Sequence, residues 1–260
     1  MIEQTVEIPT ADGAVTTFIV YPERDGPHPV VLFFMDAPGI REELRDMARR
    51  LASVGYYVML PNLYYRRGVL EIADPPPLPA KEARERVFEL MGSLTIPMVM
   101  QDGDALLAFA DRDPAASKRK AGAVGYCMSG QYAINIAARH PERIGAAASI
   151  YGVQLVTDQD DSPHLAAQRA TAELYFGCAE IDSWAPLEMI ETLDQAMKAH
   201  DLDAEVELYP GVEHGFAFPQ RPAYDKAAAE RHWERLFALF ARRLHSPLPA
   251  GGAERGVALR

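Results

Sequence analysis

A cysteine, a carboxylate and a histidine, the residue types of nucleophilic acyl transfer, occur in that order along this chain. Each stands in a segment built like the end of a buried strand. The cysteine segment is Ala123-Val124-Gly125-Tyr126-Cys127-Met128-Ser129-Gly130, which reads as a short strand of small residues entering a helix through a tight turn. A nucleophile at such a turn needs a strained backbone, and flanking glycines relieve the crowding between strand and helix. Gly125 provides the first flank, whereas Ser129 stands at the second, with Gly130 directly after it. A helix beginning just after Cys127 offers N-terminal amides and a positive dipole end, which favour thiolate over thiol. A cysteine taken alone is more often a small buried hydrophobe, but the strand, turn and helix around Cys127 point to a nucleophile. Ser129 is the rival nucleophile, off the apex of the turn.

The acid and the base are expected at the carboxyl ends of later strands. After a predicted strand Ala172 to Phe176 comes Gly177-Cys178-Ala179-Glu180-Ile181-Asp182-Ser183-Trp184-Ala185-Pro186. Asp182, deeper in the loop, is the preferred acid, and Glu180 is the alternative. Asp182 could also simply cap the region of the next helix. After the last predicted strand, Ala204 to Tyr209, the run Pro210-Gly211-Val212-Glu213-His214-Gly215-Phe216 puts His214 on a turn before the final helix. There it would accept the Cys127 proton or hold the thiolate, with Asp182 fixing its tautomer. The remaining six of the seven histidines, His28, His140, His164, His200, His232 and His245, read as solvated or capping residues.

The elements that must position these groups alternate. Thr5 to Ile8 and Ala14 to Tyr21 read as an antiparallel hairpin turned at Asp12-Gly13. Pro29 to Met35 is an apolar run of strand length, covered on both faces. Ile40, Leu44, Met47 and Leu51 lie on one helical face before a Gly55 stop. Then come a strand Tyr56 to Leu60, a strand Ala121 to Gly125, a helix Met128 to Arg139 and a strand Ile144 to Ile150. Helices Ala185 to Ala199 and Tyr224 to Leu244 complete the pattern. Strands alternating with helices predict an α/β fold: a mostly parallel sheet with helices on both faces and the hairpin at its edge. We expect one domain over 1–245, an insertion over about 64–95 near the site, with a proline-rich run at 74–79 and a charged helix, and a flexible tail at 246–260.

Composition narrows the partners. Of 260 residues, 48% are hydrophobic and 24% charged, and 26 basic against 37 acidic residues give a formal charge of −11. That balance disfavours nucleic acid. The N-terminus lacks the basic and apolar regions of a secretory signal, and no apolar run reaches the roughly eighteen residues of a membrane span, so a cytoplasmic location without membrane association is expected. Cys127 and Cys178 should then be free thiols. Without HExxH or CxxC spacing, a P-loop or a GxGxxG fingerprint, neither a metal nor a nucleotide cofactor is expected.

The segments PVVLFFMDAPGI, GYYVMLPNLYYRRG, GYCMSG, IYGV, FGCAEIDSWAP and YPGVEHGF resemble the dienelactone hydrolase family of α/β-hydrolases over Pro29 to Leu244. The resemblance implies a cofactor-independent hydrolase of lactones or carboxylic esters with Cys127 as nucleophile, His214 as general base and acid, and Asp182 as orienting carboxylate. It places the oxyanion hole at the backbone N–H groups of Met128 and Ala37. It also makes Asp36, where well-known members carry Glu, the acid that contacts the thiol. Family substrates carry a carboxylate held by arginines, and Phe218 stands in the place of one of these. An apolar ring cannot pair an anion, which implies a less charged or larger substrate. Tyr64, Arg84 and Phe218 are candidate substrate contacts. Arg86, Arg66 and Arg67 could also replace the missing cation, although such arginines read first as a solvated face. The competing expectation is a catalytically silent small-molecule binding or regulatory module on the same scaffold. Monomer and homodimer stay open.

Overall fold

The computed structural model describes residues 1–71 and 80–245. Its hairpin, β1 (Ile2–Thr10) and β2 (Gly13–Tyr21), pairs antiparallel with Ile2 opposite Tyr21. The hairpin leads into β3 (Val30–Phe34), β4 (Tyr57–Pro61), β5 (Ala121–Tyr126), β6 (Ile144–Ile150), β7 (Glu173–Ile181) and β8 (Ala204–Glu213). The strands form one sheet in the order β1-β2-β4-β3-β5-β6-β7-β8, parallel from β4 to β8 and antiparallel at the hairpin. Every residue of β3, β4 and β5 is buried, as their uninterrupted apolar or small-residue runs require of strands covered on both faces.

The helices are α1 (Glu42–Ala52), α2 (Ala80–Gly92), α3 (Ile96–Ala110), α4 (Gly130–Arg139), the short α5 (Pro163–Ala166), α6 (Leu187–Ala199) and α7 (Lys226–Leu244). Along α1, Leu44, Met47, Ala48 and Leu51 are buried, and its Arg50 reaches α7 through an ion pair to Glu230 and the face of Trp233. Helix α3 follows no strongly amphipathic pattern and was not expected from the sequence. Its start is marked by Thr95, whose side chain accepts from the Met98 N–H, with a proline in the first turn. Gly103 inside it permits close contact with α4, since a Cβ there would stand 2.5 Å from Ile136 Cδ1.

The chain runs from β3 outward to β4 and then resumes on the opposite side of β3 at β5. In an open parallel sheet this change of direction leaves a crevice beyond the strand carboxyl ends, where ligands bind. Asp36 and Ala37 follow β3, and Cys127 follows β5, so both stand at this point. Strands β7 and β8 run further than Phe176 and Tyr209, where the sequence suggested they would end. Their pairing continues past an irregularity after Ala179 to bring Ile181 opposite Glu213. The next residues are Asp182 and His214, so register alone sets the acid beside the histidine. Of the expected insertion, the described part comprises a helical turn at Tyr65–Arg67 and α2. The run at 74–79 and the tail at 246–260 lie outside the described residues.

Candidate active site

Cys127 opens a tight 3-10 turn, Cys127–Ser129, and α4 starts only at Gly130, two residues later than expected. Cys127 holds φ at +56°, a conformation disfavoured for side chains beyond glycine, and it is partly exposed. The turn tolerates no bulk behind it. A Cβ on Gly125 would lie 2.0 Å from the Ser129 carbonyl oxygen, and one on Gly130 would lie 2.2 Å from Ser149 Oγ. The second obligatory glycine is therefore Gly130, and Ser129 fits because its buried hydroxyl turns away to donate to the Met35 carbonyl. That orientation leaves Ser129 inaccessible as a nucleophile.

Asp182 Oδ2 lies 2.6 Å from His214 Nδ1, and Oδ1 accepts from the Trp184 and Ala185 amides at 2.8 and 3.2 Å. One carboxylate thus orients the imidazole and caps its own loop. Glu180 is exposed and accepts from the Gly211 N–H at 2.6 Å. Burial pulls the His214 imidazole down, but its hydrogen bonds to Asp182 and Cys127, reinforced by both charges, push it up to about 10. Proton affinity at His214 is thus coupled to the sulfur on one side and the carboxylate on the other. Cys178 is free and buried, and burial followed by the Asp182 charge pushes its thiol up to about 12, which keeps it inert.

Asp36 does not have the partner expected of it. Arg41 grips it with two bonds, Nη1 to Oδ1 at 2.6 Å and Nη2 to Oδ2 at 3.1 Å, and among the described residues no hydrogen bond joins Asp36 to Cys127. Aspartate is one methylene shorter than the family's Glu, and a guanidinium five residues on holds its carboxylate by the fork geometry that such pairs favour. Arg41 also donates through Nε and Nη2 to Glu43 Oε2, at 3.0 and 2.8 Å, and through Nη1 to the Gly39 carbonyl at 3.1 Å. All five of its N–H donors are engaged. Glu43 Oε1 in turn accepts from the Gln220 N–H at 2.8 Å.

The candidate substrate contacts fare differently. Phe218 is 2% exposed and lies beneath Arg41, whose guanidinium carbon stands 5.0 Å from the ring centroid, so it supports a cation instead of lining an open pocket. Tyr64 is equally buried. Its hydroxyl donates to the Ala37 carbonyl at 2.6 Å and approaches Met128 Sδ at 3.5 Å, bracing the two residues assigned to the oxyanion hole. The Ala37 N–H donates to no protein acceptor among the described residues, and the Met128 N–H lies in a first helical turn, where N–H groups lack intrahelical acceptors. Arg84, on α2, is exposed and stacks over Phe88 and Trp184 at 5.5 and 5.9 Å, with no carboxylate partner among the described residues. Trp184 belongs to the Asp182 loop, so Arg84 stands over the acid side of the site. Arg66 is no solvated cation, because it clamps the fully buried Asp102 with two bonds of 2.8 Å. Arg67 and Arg86 pair with Glu89 at the surface.

Two of the histidines read as solvated or capping are buried. His28 bonds the Pro22 carbonyl at 3.0 Å. His232 sits behind the turn, 3.0 Å from the Tyr126 hydroxyl, and burial pushes it down to about 4. Sequence reasoning missed Arg41, for which an arginine soon after the Asp36 strand end was the available signal.

Comparison with known proteins agrees with this architecture. The model of the dienelactone hydrolase family matches residues 15–244. A protein of Escherichia coli strain K12, provisionally named a carboxymethylenebutenolidase, is 32% identical over 242 residues, covering 90% of this chain and 84% of that one. A Bradyrhizobium protein, provisionally named a 2-oxo-3-(5-oxofuran-2-ylidene)propanoate lactonase, is 26% identical over 232 residues, covering 88% and 89%. The crystal structure of a Klebsiella pneumoniae protein, provisionally described as a dienelactone hydrolase, superposes with a TM-score of 0.81 at 26% identity and covers 93% of this chain and 98% of that one. The chain belongs to the dienelactone hydrolase family and is a hydrolase of that carboxymethylenebutenolidase-like kind.

Proposed function

We propose that this protein opens a lactone or cleaves a carboxylic ester through an acyl-cysteine intermediate. The observation that carries this reading is a strained Cys127 coupled to a His214 that Asp182 holds at 2.6 Å. Cys127 Sγ, its proton passed to His214, attacks the carbonyl carbon, and the charge on the carbonyl oxygen is met by the Met128 and Ala37 N–H groups. Collapse of the tetrahedral species breaks the acyl C–O bond, and His214 gives its proton to the departing oxygen. Water then loses a proton to His214 and attacks the thioester carbonyl. The second collapse expels the thiolate and releases the acid.

The cation chemistry bears on the substrate. Arg41 has no donor left for an added carboxylate, and Phe218 supplies none. The reacting end of the substrate is therefore uncharged, and a carboxylate placed further out meets Arg84. Initial rates on cis- and trans-dienelactone and on neutral short-chain aryl esters, with Cys127→Ala in parallel, test the reading. Turnover on either class that Cys127→Ala abolishes supports it, and full turnover by a folded Cys127→Ala protein overturns it. Silence of the parent on both classes favours a binding module instead.

A further inference from the structure

The first turn of α4 carries two polar atoms that the fold leaves without a partner. They belong to Gln131 and Tyr132, which are 8% and 2% exposed. The Gln131 amide nitrogen donates to the Met128 carbonyl at 2.9 Å and to Gln154 Oε1 at 3.4 Å. Both of those oxygens can only accept, so the amide is fixed with Gln131 Oε1 turned the other way. That oxygen accepts from no donor among the described residues, and the Tyr132 hydroxyl makes no hydrogen bond among them, yet neither atom is sealed in the interior. Polar groups on buried residues are nearly always partnered. Both residues line one cavity of about 370 Å³, a volume typical of small-molecule sites.

This cavity lies against the turn that carries Cys127. Gln131 holds the carbonyl of the residue after the cysteine, and the Val153 N–H donates to the Cys127 carbonyl at 3.1 Å. Tyr132 packs edge-on against Phe34, the last residue of β3, with 6.5 Å between ring centroids. Leu94 and Ile96 give the cavity an apolar wall, and Gln154 and Thr157 add neutral polar groups. Asp161 is the one charged residue of the described lining, which holds no cation, so a carboxylate is disfavoured there. None of that lining comes from β7, β8 or the loops that carry Asp182 and His214. The departing oxygen of an ester faces His214, so the acyl arm is the part of the substrate that leads away from it. We propose that the cavity receives the acyl arm of the substrate, and that this arm is uncharged and bears a hydroxyl, which donates to Gln131 Oε1 and accepts from the Tyr132 hydroxyl. This rests on the reading of the protein as a lactone or ester hydrolase. Burial pushes the Tyr132 phenol up, so it stays a donor.

The anilides of ω-hydroxyhexanoic acid and heptanoic acid test the site without turnover, because the second puts a methyl where the first has its hydroxyl. Their dissociation constants are measured by calorimetry on the parent, Tyr132→Phe and Gln131→Met, alongside competition with an aryl ester substrate. The parent should bind the hydroxylated anilide roughly tenfold tighter, since the methyl leaves two polar groups unpaired, and each variant should erase about fivefold of that preference. A purely structural role would weaken both anilides alike and leave their ratio in place. Equal binding of the two by the parent, a ratio kept by either folded variant, or a bound hydroxylated anilide that fails to compete with the ester overturns the proposal. The expected ratios together with full ester turnover by Cys127→Ala would overturn the acyl-cysteine route and leave the cavity assignment standing.

Discussion

Two carboxylate–cation pairs stand at the candidate site, and they differ in what their cations can do. Asp182 with His214 and Asp36 with Arg41 each place a carboxylate after a sheet strand, with a shortest contact of 2.6 Å in both. Asp182 gives one oxygen to the imidazole and the other to its loop amides, leaving His214 free to gain and lose a proton. Asp36 gives both oxygens to a guanidinium that keeps its proton at every accessible pH. One pair is suited to moving protons, while the other is a fixed brace around the loop that carries Ala37.

The largest effect should come from breaking the first pair. Asp182→Asn should lower kcat on the order of 10³- to 10⁴-fold by losing the correct tautomer, whereas Glu180→Gln should stay within about twofold, since the exposed Glu180 hydrogen-bonds only the Gly211 amide among the described residues. Steady-state kinetics on a neutral aryl ester would read both. Breaking the second pair should act mainly on stability. Arg41→Met leaves Asp36 and Glu43 buried without a counter-charge, a cost of about 3–5 kcal/mol, read as a melting temperature lower by roughly 10 °C.

A pH titration sharpens the comparison. His214 is raised from its ordinary 6.5 to about 10, burial opposing the shift and Asp182 and Cys127 driving it. Its contribution to stability is therefore complete below about pH 6.5 and is lost as pH rises through about 10. Arg41 is raised from a value that is already high, burial opposing the shift and Asp36 driving it, so its pair should show no alkaline loss over the same range. Melting temperature measured from pH 6 to pH 10.5 should fall in the parent and fall less in Asp182→Asn. The smallest effect is expected at the rim. Arg84→Gln should leave neutral esters within about twofold and slow carboxylate-bearing ones by roughly tenfold, the loss of a charged hydrogen bond.

The sheet was legible in the sequence where burial was complete. Runs such as Val30 to Phe34 have one reading when both faces are covered. The order of Cys127, Asp182 and His214 was visible because local segments carry it, and so was the hairpin. The tertiary pairings were not visible. Nothing local shows that Ile181 will lie opposite Glu213, or that α3 will form over residues whose apolar pattern is weak. The fate of Asp36 depended on a cation five residues away, and the burial of His232 depended on Tyr126, more than a hundred residues earlier. Phe218 stood out as a missing arginine, yet its role under Arg41 emerges only from packing.

The central claim is that acyl groups pass through Cys127. Acid quench of the parent during turnover of an aryl ester, followed by intact-mass and peptide mapping, would test it most directly. The account predicts one acyl group on the peptide containing Cys127, with none formed by Cys127→Ala, which should also lose turnover. An acyl group mapped to another residue, or undiminished turnover by Cys127→Ala, would contradict it.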